Sequence, residues 1–180
     1  MTGTTPLEQR HPCFRPEHEA LRRTVERFVR EQVLPQADAW EESGSVPRQV
    51  LRALGDLGVL GIRFESRWGG SEMDALATVA VAEELGRSTY GGFAVTVLVH
   101  TDMATPHLHH AGSEAQKAHY LPDLIAGRRI AAVAMTEPDA GSDLASKRNS
   151  AVSLLSQPCF LSGRETETPG MPFSTMNNEI

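Results

Sequence analysis

The residues with the clearest potential for chemistry follow a short apolar run, residues 130–135, which predicts a buried strand. The chain then enters a polar loop that carries hydroxyls at Thr136 and Ser142, a rigid Pro138 and a permissive Gly141. Where such a strand ends, backbone N–H groups can approach a phosphate or a flat heterocycle. The alternatives are a strand followed by a surface turn and, for Ser142, a hydroxyl that only caps that turn.

Four histidines lie close enough in sequence to suggest a metal site instead. They are His100, His107, His109 and His110. Pro106 interrupts the helix that would align them, and no carboxylate or cysteine joins them at ligand spacing. We therefore expect no metal site.

The bulk composition limits the possible classes of protein. A chain of 180 residues with 40% hydrophobic residues forms one domain, or one domain plus a fragment. A net charge of −6 gives no basic footprint for nucleic acid. The first residues lack a secretion signal, and the longest near-apolar run, residues 93–99, is too short to span a membrane. Cys13 and Cys159 are expected to be free thiols, which favours a cytoplasmic protein.

Helical periodicity dominates the first 129 residues. An apolar stripe predicts a first helix from Glu17, which Pro35 ends or kinks, and residues 37–42 continue it. The stripe consists of Leu21, Val25, Phe28 and Val29. A second helix is expected to begin near Pro47, with its apolar face at Leu51, Leu54 and Leu57, and to stop at Gly58. The glycines at 55, 58 and 61 have the wrong spacing for a dinucleotide loop.

The sequence predicts three further helices from the same signals, namely caps, glycine stops and apolar faces. Asp74 can cap a third helix that Gly86 closes, with an apolar face at Leu76, Val79, Ala80 and Leu85. Residues 93–100 would also suit a strand, but the surrounding helical pattern favours a buried helix that continues toward Ala104. Ser113 and Gln116 form a capping box for the last helix, which Pro122 is expected to bend or split. Trp40 and Trp68 are interpreted as core or interface anchors, and Glu83-Glu84 as a solvated face.

The loop sequence at residues 136–143, TEPDAGSD, resembles the signature of the acyl-CoA dehydrogenase family, flavoenzymes that desaturate acyl-CoA thioesters. Residues 64–73, with Trp68-Gly69-Gly70, and residues 112–127, with GSEAQK and YLP, also resemble the family. In all, residues 16–146 fit, and the octapeptide is the specific part. The resemblance implies a mainly α fold, with a helical bundle followed by the first β-strand of a middle β-domain; an irregular tail that does not resemble the family follows.

The reaction that the resemblance implies removes two hydrogens from the thioester, one as a proton to a carboxylate and one as a hydride to FAD. Met135 and Thr136 would lie against the isoalloxazine ring, and Gly141 would let the backbone come close. Ser142 would donate to a phosphate oxygen of the cofactor or of CoA. Val133 occupies a position where relatives often present an aromatic ring to the flavin or acyl chain. Val133 would therefore line the same site, but with a small side chain in place of the ring.

No catalytic residue is assigned in this chain, because the family's catalytic base is a glutamate of a C-terminal helical domain. Glu137 is not expected to replace it. Pro138 biases Glu137 toward extended backbone, and a loop hydrogen bond or ion pair is the simpler role.

Four regions are predicted along the chain. Residues 1–15 are expected to form a flexible arm, 16–129 the helical domain, 130–146 the start of the middle β-domain, and 147–180 a disordered tail unlike the family. The tail is rich in Ser, Thr, Asn, Pro and Gly and has no sustained apolar period. One hypothesis is a change of reading frame or splicing near Ser146; the alternative is a diverged, disordered terminus.

The sequence thus predicts a fragment of an FAD-dependent acyl-CoA dehydrogenase that is inactive by itself. Acyl-CoA oxidases, related flavin monooxygenases and acyl-carrier-protein dehydrogenases share this N-terminal architecture, and a non-catalytic helical interaction module or a non-functional remnant is the alternative of another class. The expected partners are an acyl-CoA or acyl-carrier-protein thioester and, for a full-length relative, electron-transfer flavoprotein or another acceptor. A homo-oligomer is expected only for the full-length protein.

Overall fold

The structure, a computed structural model, describes residues 13–135 and residue 142. This part of the chain is a helical bundle, which confirms the predicted fold class. Its α-helices are α1 (Pro16–Phe28), α2 (Ala37–Ser43), α3 (Arg48–Asp56), α4 (Ala75–Gly86), α5 (Gly91–Leu98), α6 (Thr105–Ala111) and α7 (Glu114–Ile125). Single turns of 3₁₀-helix lie at Val59–Gly61 and Ser66–Trp68.

Helix α1 forms as its apolar periodicity predicts. Pro16 occupies the first turn, where a backbone N–H has no helical partner to lose. Val25 and Phe28 are buried, and a π-helical turn, Val29–Val33, extends the same apolar face. The helical run ends before Pro35 and resumes in α2, as expected.

The apolar side chains form two clusters. The main core is formed by all five helices from α1 through α5 and contains the buried ring of Trp40 packed against Phe93. The second, smaller cluster lies where α6 and α7 meet the turn before α4, with the half-buried Trp68 packed against it. Its buried members are Phe64, Leu108, Leu121, Leu124 and Ile125. Both tryptophans therefore pack as core anchors.

Two residues assigned to apolar faces are instead exposed. Leu57 is 40% exposed because α3 ends at Asp56, one residue before it, so Leu57 leaves the buried stripe of Leu51 and Leu54. Val79 is 44% exposed because α4 buries a different stripe from the one expected. That stripe consists of Ala77, Ala80, Val81, Glu84 and Leu85.

Polar side chains join α1 to α4 at two places. Asp74 caps α4 by accepting hydrogen bonds from the backbone N–H groups of Leu76 and Ala77, at 3.0 and 3.2 Å. The same carboxylate accepts from Arg15 at 2.8 Å and lies 2.9 Å from the fully buried ring of His18. One carboxylate thus fixes both the start of α4 and the start of α1.

The second joint corrects the interpretation of Glu83-Glu84 as a solvated face. Glu84 is 1% exposed and accepts a hydrogen bond from Arg22 of α1 at 3.0 Å, whereas the side chain of Glu83 is 49% exposed. Burial lowers the pKa of Arg22, but the hydrogen bonds that it donates to Glu83 and Glu84 outweigh this, and the net pKa is raised. Sequence periodicity could not separate two adjacent glutamates on one helix.

A long central helix runs from Gly91 to Ala111, which confirms the helix predicted over residues 93–104. It is buried on one face only: Phe93, Val97 and His100 are buried, whereas Val95 is 58% exposed. It consists of α5, a π-helical turn at Val99–Ala104, and α6. In this π turn the carbonyl oxygen of His100 accepts the backbone N–H of Thr105, five residues further on. The same oxygen also accepts the hydroxyl of Thr105 at 2.7 Å.

The predicted capping box of α7 is present. The backbone N–H of Ser113 donates to the Gln116 side chain at 2.6 Å, and the Gln116 N–H donates back to the Ser113 hydroxyl at 3.2 Å. The helix is not split at Pro122 but runs through it to Ile125. Only one helical turn follows Pro122, so few backbone hydrogen bonds of the helix are affected by the missing N–H of this proline.

The described residues contain no β-strand, in contrast to the strand predicted over residues 130–135. A strand is defined by a ladder of hydrogen bonds to a neighbour, and no described segment provides such a ladder here. Nor does any helix in the described part have the length and apolarity needed to cross a bilayer. The division into four regions stays a prediction.

The buried joint between α1 and α4 makes a quantitative prediction. Glu84→Gln is expected to lower the free energy of unfolding by about 2 kcal/mol, because a desolvated charge pair loses one charge. Glu83→Gln, which removes the exposed partner of the same arginine, is expected to cost less than about 1 kcal/mol. Urea unfolding followed by circular dichroism measures both, and equal losses would contradict the burial argument.

Candidate functional site

The candidate site lies where the chain leaves the bundle, at residues 126–135, which we call the exit segment. Gly127 ends α7 in a left-handed conformation, with φ of 66°, and its N–H donates to the carbonyl of Leu124 at 3.0 Å. The N–H groups of Arg128 and Arg129 both donate to the carbonyl of Asp123, at 2.9 and 3.1 Å. The last turn of α7 therefore fixes the direction in which the chain departs.

Two glycines let α3 and the start of the exit segment touch through their backbones. A Cβ on Gly55 of α3 would lie 2.5 Å from the carbonyl carbon of Ala126. A Cβ on Gly127 would overlap the backbone carbonyl of Leu51. Any larger residue would push the exit segment away from α3, so these glycines are required by contact with their neighbours.

Charged side chains close the outer side of the same turn. The carboxylate of Asp123 pairs with Arg128, at 2.6 Å, and with Arg129, at 3.1 Å. The guanidinium of Arg129 also lies 5.3 Å from the centre of the Tyr120 ring. These groups are partly exposed, so they orient the turn more than they stabilise it.

The inner side of the exit segment is held by His100, which sequence analysis considered only as a metal ligand. His100 is 1% exposed. Its Nε2 lies 3.0 Å from the carbonyl oxygen of Leu124, and its Nδ1 lies 3.0 Å from the backbone nitrogen of Ala131. An N–H can donate only to an unprotonated Nδ1, so the ring is neutral and carries its proton on Nε2. One ring thus connects the central helix, α7 and the exit segment.

The pKa of His100 is lowered, first by burial, which disfavours the charged imidazolium, against a smaller opposing effect of the two backbone hydrogen bonds. Charged groups on the neighbouring elements could also shift this pKa. The 3₁₀ turn Val59–Gly61, which contacts the π turn, carries no charged side chain. At the end of α7, Asp123 pairs with Arg128 and Arg129. On the histidine's own helix, Asp102 accepts a hydrogen bond from Thr101 at 2.7 Å.

From Ala131, where His100 holds the chain, to Ala134, the residues of the exit segment alternate between half-buried and exposed. Ala131 and Val133 are half-buried, whereas Ala132 and Ala134 are exposed and Met135 is 42% exposed. Alternation with a period of two is typical of extended backbone. The structure therefore brings Val133 and Met135 to the edge of the bundle on a segment with small neighbours.

The remaining predicted site residues follow Met135 in the sequence. Ser142 is exposed and lies in a bend. Thr136 and Gly141, like Glu137, lie outside the described residues. The signal that could have identified His100 was its place at the end of an apolar run in a buried helix, because a buried polar side chain requires partners.

The other histidines form no metal centre with it. His107 and His110 are exposed, and His109 lies 3.4 Å from Glu65 with its ring against Phe64. Within residues 13–135 and at residue 142, no three metal-ligating side chains are arranged to hold an ion. Two glutamates are buried in the described part of the chain: Glu19 lies on α1, and Glu84 lies between α1 and α4, not beside the exit segment.

A cavity of about 150 Å³ lies between α2 and α5. Trp40, Tyr90 and Phe93 contribute its apolar wall, and Glu41, Ser45 and Thr96 its polar groups. Pockets that enclose a cofactor or a drug-sized ligand are typically about 300–1,000 Å³. This cavity is therefore too small to hold such a molecule by itself.

Comparisons with known proteins agree with this architecture. A family model described as "Acyl-CoA dehydrogenase, N-terminal domain" matches residues 15–128. The mitochondrial long-chain specific acyl-CoA dehydrogenase of Sus scrofa is 38% identical over 138 residues, which cover 77% of this chain and 32% of the relative. The chain thus spans about a third of the length of the curated relatives that it matches.

Solved structures show the same likeness. An acyl-CoA dehydrogenase from Geobacillus kaustophilus superposes with a TM-score of 0.69 at 33% identity, covering 77% of this chain and 36% of that protein. An acyl-CoA dehydrogenase from Bacillus anthracis, solved as a complex with FAD, superposes with a TM-score of 0.65 at 33% identity. That match covers 78% of this chain and 23% of the other protein.

The neutral, buried ring of His100 predicts a loss of stability in acid. Its pKa in the folded state lies below the value of about 6.5 expected when unfolded. The stability that His100 contributes is therefore complete above about pH 6.5 and is lost as the pH falls through the folded-state pKa. Between pH 7 and 5, the free energy of unfolding should fall more steeply for the wild type than for His100→Gln, which has no proton to gain.

Urea titrations at a series of pH values test this. His107→Gln, a change at an exposed histidine of the same helix, is the matched control and should keep the slope of the wild type. A wild-type slope equal to that of His100→Gln would show that His100 does not become harder to protonate on folding.

Proposed function

The chain belongs to the acyl-CoA dehydrogenase family, and on that premise we propose that it forms the N-terminal helical domain of an FAD-dependent enzyme that desaturates acyl-CoA thioesters. The observation that carries the proposal is the exit segment. Two glycines, Asp123 and His100 fix the direction in which it leaves the bundle, and the TEPDAGSD loop follows it directly. Loops on rigid scaffolds are where binding residues concentrate.

The described part of the segment fits a flat cofactor. Ala132 and Ala134 are exposed, so small side chains leave the backbone accessible, and the exposed Met135 offers an apolar surface. Met135 and Thr136 would hold the isoalloxazine ring, Gly141 would admit the backbone, and Ser142 would donate to a phosphate oxygen. FAD, which the Bacillus anthracis relative binds, would supply the acceptor for the hydride of the substrate.

The substrate proposal rests on the same short segment. Val133 is half-buried beside the bundle and would form part of the wall around the flavin or acyl chain. Its small side chain leaves room where an aromatic ring would fill the space. Ser142 is exposed and would be free to donate to a phosphate of CoA.

We assign no catalytic base to the described residues. Glu84 is buried in an ion pair with Arg22 on the far joint of the bundle, so it cannot reach a substrate at the exit segment. The function of this chain would be to shape the site and exclude water on one side. The α-proton would be taken by a glutamate in a further domain, and electron-transfer flavoprotein or another acceptor would reoxidise the enzyme.

A second candidate function is a non-catalytic helical interaction module. Val95 is 58% exposed and Met103 43% exposed on the central helix, and apolar side chains on an unpartnered helix face favour contact with another protein surface. An acyl-CoA oxidase, a related flavin monooxygenase or an acyl-carrier-protein dehydrogenase stays an alternative within the enzyme class. A cytoplasmic location and a homo-oligomer of a longer protein stay predictions.

Flavin binding tests the first proposal directly. Ser142→Ala is expected to weaken FAD binding about tenfold, because a hydrogen bond to a charged group contributes about 1.5 kcal/mol. Titration of the chain with FAD, followed by quenching of flavin fluorescence, measures this. The control is Ser71→Ala, a change at an exposed loop serine. Equal affinity of Ser142→Ala and wild type would remove Ser142 from the site, and no binding by the wild type would favour the interaction module.

The polypeptide of 180 residues is expected to lack turnover by itself, since Asp123, the carboxylate described beside the exit segment, is held in ion pairs with Arg128 and Arg129. Dye-linked oxidation of a panel of acyl-CoA thioesters, from short to long chains and with branched members, is the measurement. Enzyme-like rates with any of them would disprove this prediction and would require a base within the chain.

A further inference from the structure

The hydrogen bonds of His100 are unusual in what they join. A buried histidine in a helical core needs only one or two local partners to be satisfied. The partners of His100 are instead two backbone groups far away in sequence, the carbonyl of Leu124 and the N–H of Ala131. They lie on either side of the turn at which the chain leaves the bundle.

The carbonyl of Leu124 does not depend on this histidine, because it also accepts the N–H of Gly127 at 3.0 Å. The bond to Ala131 is different. Ala131 is half-buried against the second core cluster, so its N–H would lose part of its access to water without gaining another partner. The contact with His100 is therefore the one that determines where the exit segment lies.

The helix around His100 is adapted to this role. The ring stands at the second residue of the π turn Val99–Ala104, and π turns change the direction in which following side chains project. The carbonyl of His100 accepts the backbone N–H of Thr105 and also the Thr105 hydroxyl, the latter at 2.7 Å. The backbone of His100 is thus held within the π turn, while its ring is held by groups of α7 and the exit segment.

We propose that His100 is a positioning residue, which holds the exit segment against the bundle through Ala131 and thereby sets the placement of Val133 and Met135. The inference rests on the proposed function for its relevance to flavin, but the tether itself does not require flavin. Val133 lies two positions after Ala131, and Met135 lies four positions after it. A free exit segment would place neither reproducibly.

Amide hydrogen exchange on the whole chain, without flavin, tests the tether. In His100→Leu, which keeps an apolar side chain but has no polar atom, the Ala131 amide should exchange about tenfold faster, the factor expected for the loss of one buried hydrogen bond. In His100→Gln, whose amide can both accept and donate, protection should be partly restored. Helices α1 and α4 should keep the protection of the wild type in both variants.

The matched control is His18→Gln, at another fully buried histidine, whose ring lies 2.9 Å from Asp74 at the start of α4. It should change exchange near Asp74 and leave Ala131 as in the wild type. A change at Ala131 in all three variants would show general loosening of the bundle and would overturn the proposal. So would unchanged protection of Ala131 in His100→Leu.

A measurement on the unmodified chain covers the case in which the variants do not fold. Protonation of Nδ1 would place two N–H groups against each other, so lowering the pH from 7 to 5 should reduce the protection of Ala131 more than that of Leu121, after correction for intrinsic exchange rates. The charged groups on the elements packed around His100 are Asp102 on its own helix and Asp123, Arg128 and Arg129 at the end of α7. A parallel loss at both amides would contradict the tether.

FAD titration of the wild type and of His100→Gln, with His100→Leu as the variant that loses the tether, separates this inference from the proposed function. If the wild type binds FAD and loss of the tether weakens binding, both stand. If the wild type does not bind FAD while Ala131 depends on His100, the tether stands and the flavin site in this chain fails. If FAD binds equally to both proteins and to His100→Leu, the positioning role is overturned and the flavin site stands.

Discussion

The imidazole of His100 is the interaction on which the arrangement of the candidate site depends. A ring that is 1% exposed must satisfy both nitrogens within the protein. The only arrangement that uses the N–H of Ala131 and the carbonyl of Leu124 together is a neutral ring with its proton on Nε2. That requirement couples the central helix to the last turn of α7 and to the chain that leaves it.

The rest of the bundle supplies the rigidity that such a contact needs. The main core fixes α1 to α5 by apolar packing, and Asp74 and Glu84 add polar joints between α1 and α4 at two separate places. Apolar packing alone tolerates small shifts between helices, whereas a hydrogen-bonded carboxylate between two helices specifies their register. The exit segment is therefore attached to a body whose helices have defined positions.

The proposed function is concentrated where helical order ends. The exit segment exposes the small side chains of Ala132 and Ala134, which let a flat ligand approach the backbone. The direction of the segment comes from contacts of low chemical reactivity: two glycines, one carboxylate and one neutral histidine. Within a family of flavoenzymes, such a domain contributes placement, and the cofactor contributes the redox chemistry.

The sequence by itself determined the helical class, the cap at Asp74, the capping box at Ser113 and the buried helix after Phe93, because each depends on neighbours within a few residues. Its TEPDAGSD loop also indicated the family, which the comparisons bear out. Only the tertiary structure distinguished buried Glu84 from exposed Glu83 and revealed the role of His100. The ion pair of Glu84 and the hydrogen bonds of His100 join residues that lie about 24 to 62 positions apart in sequence. Local periodicity carries no information about such contacts.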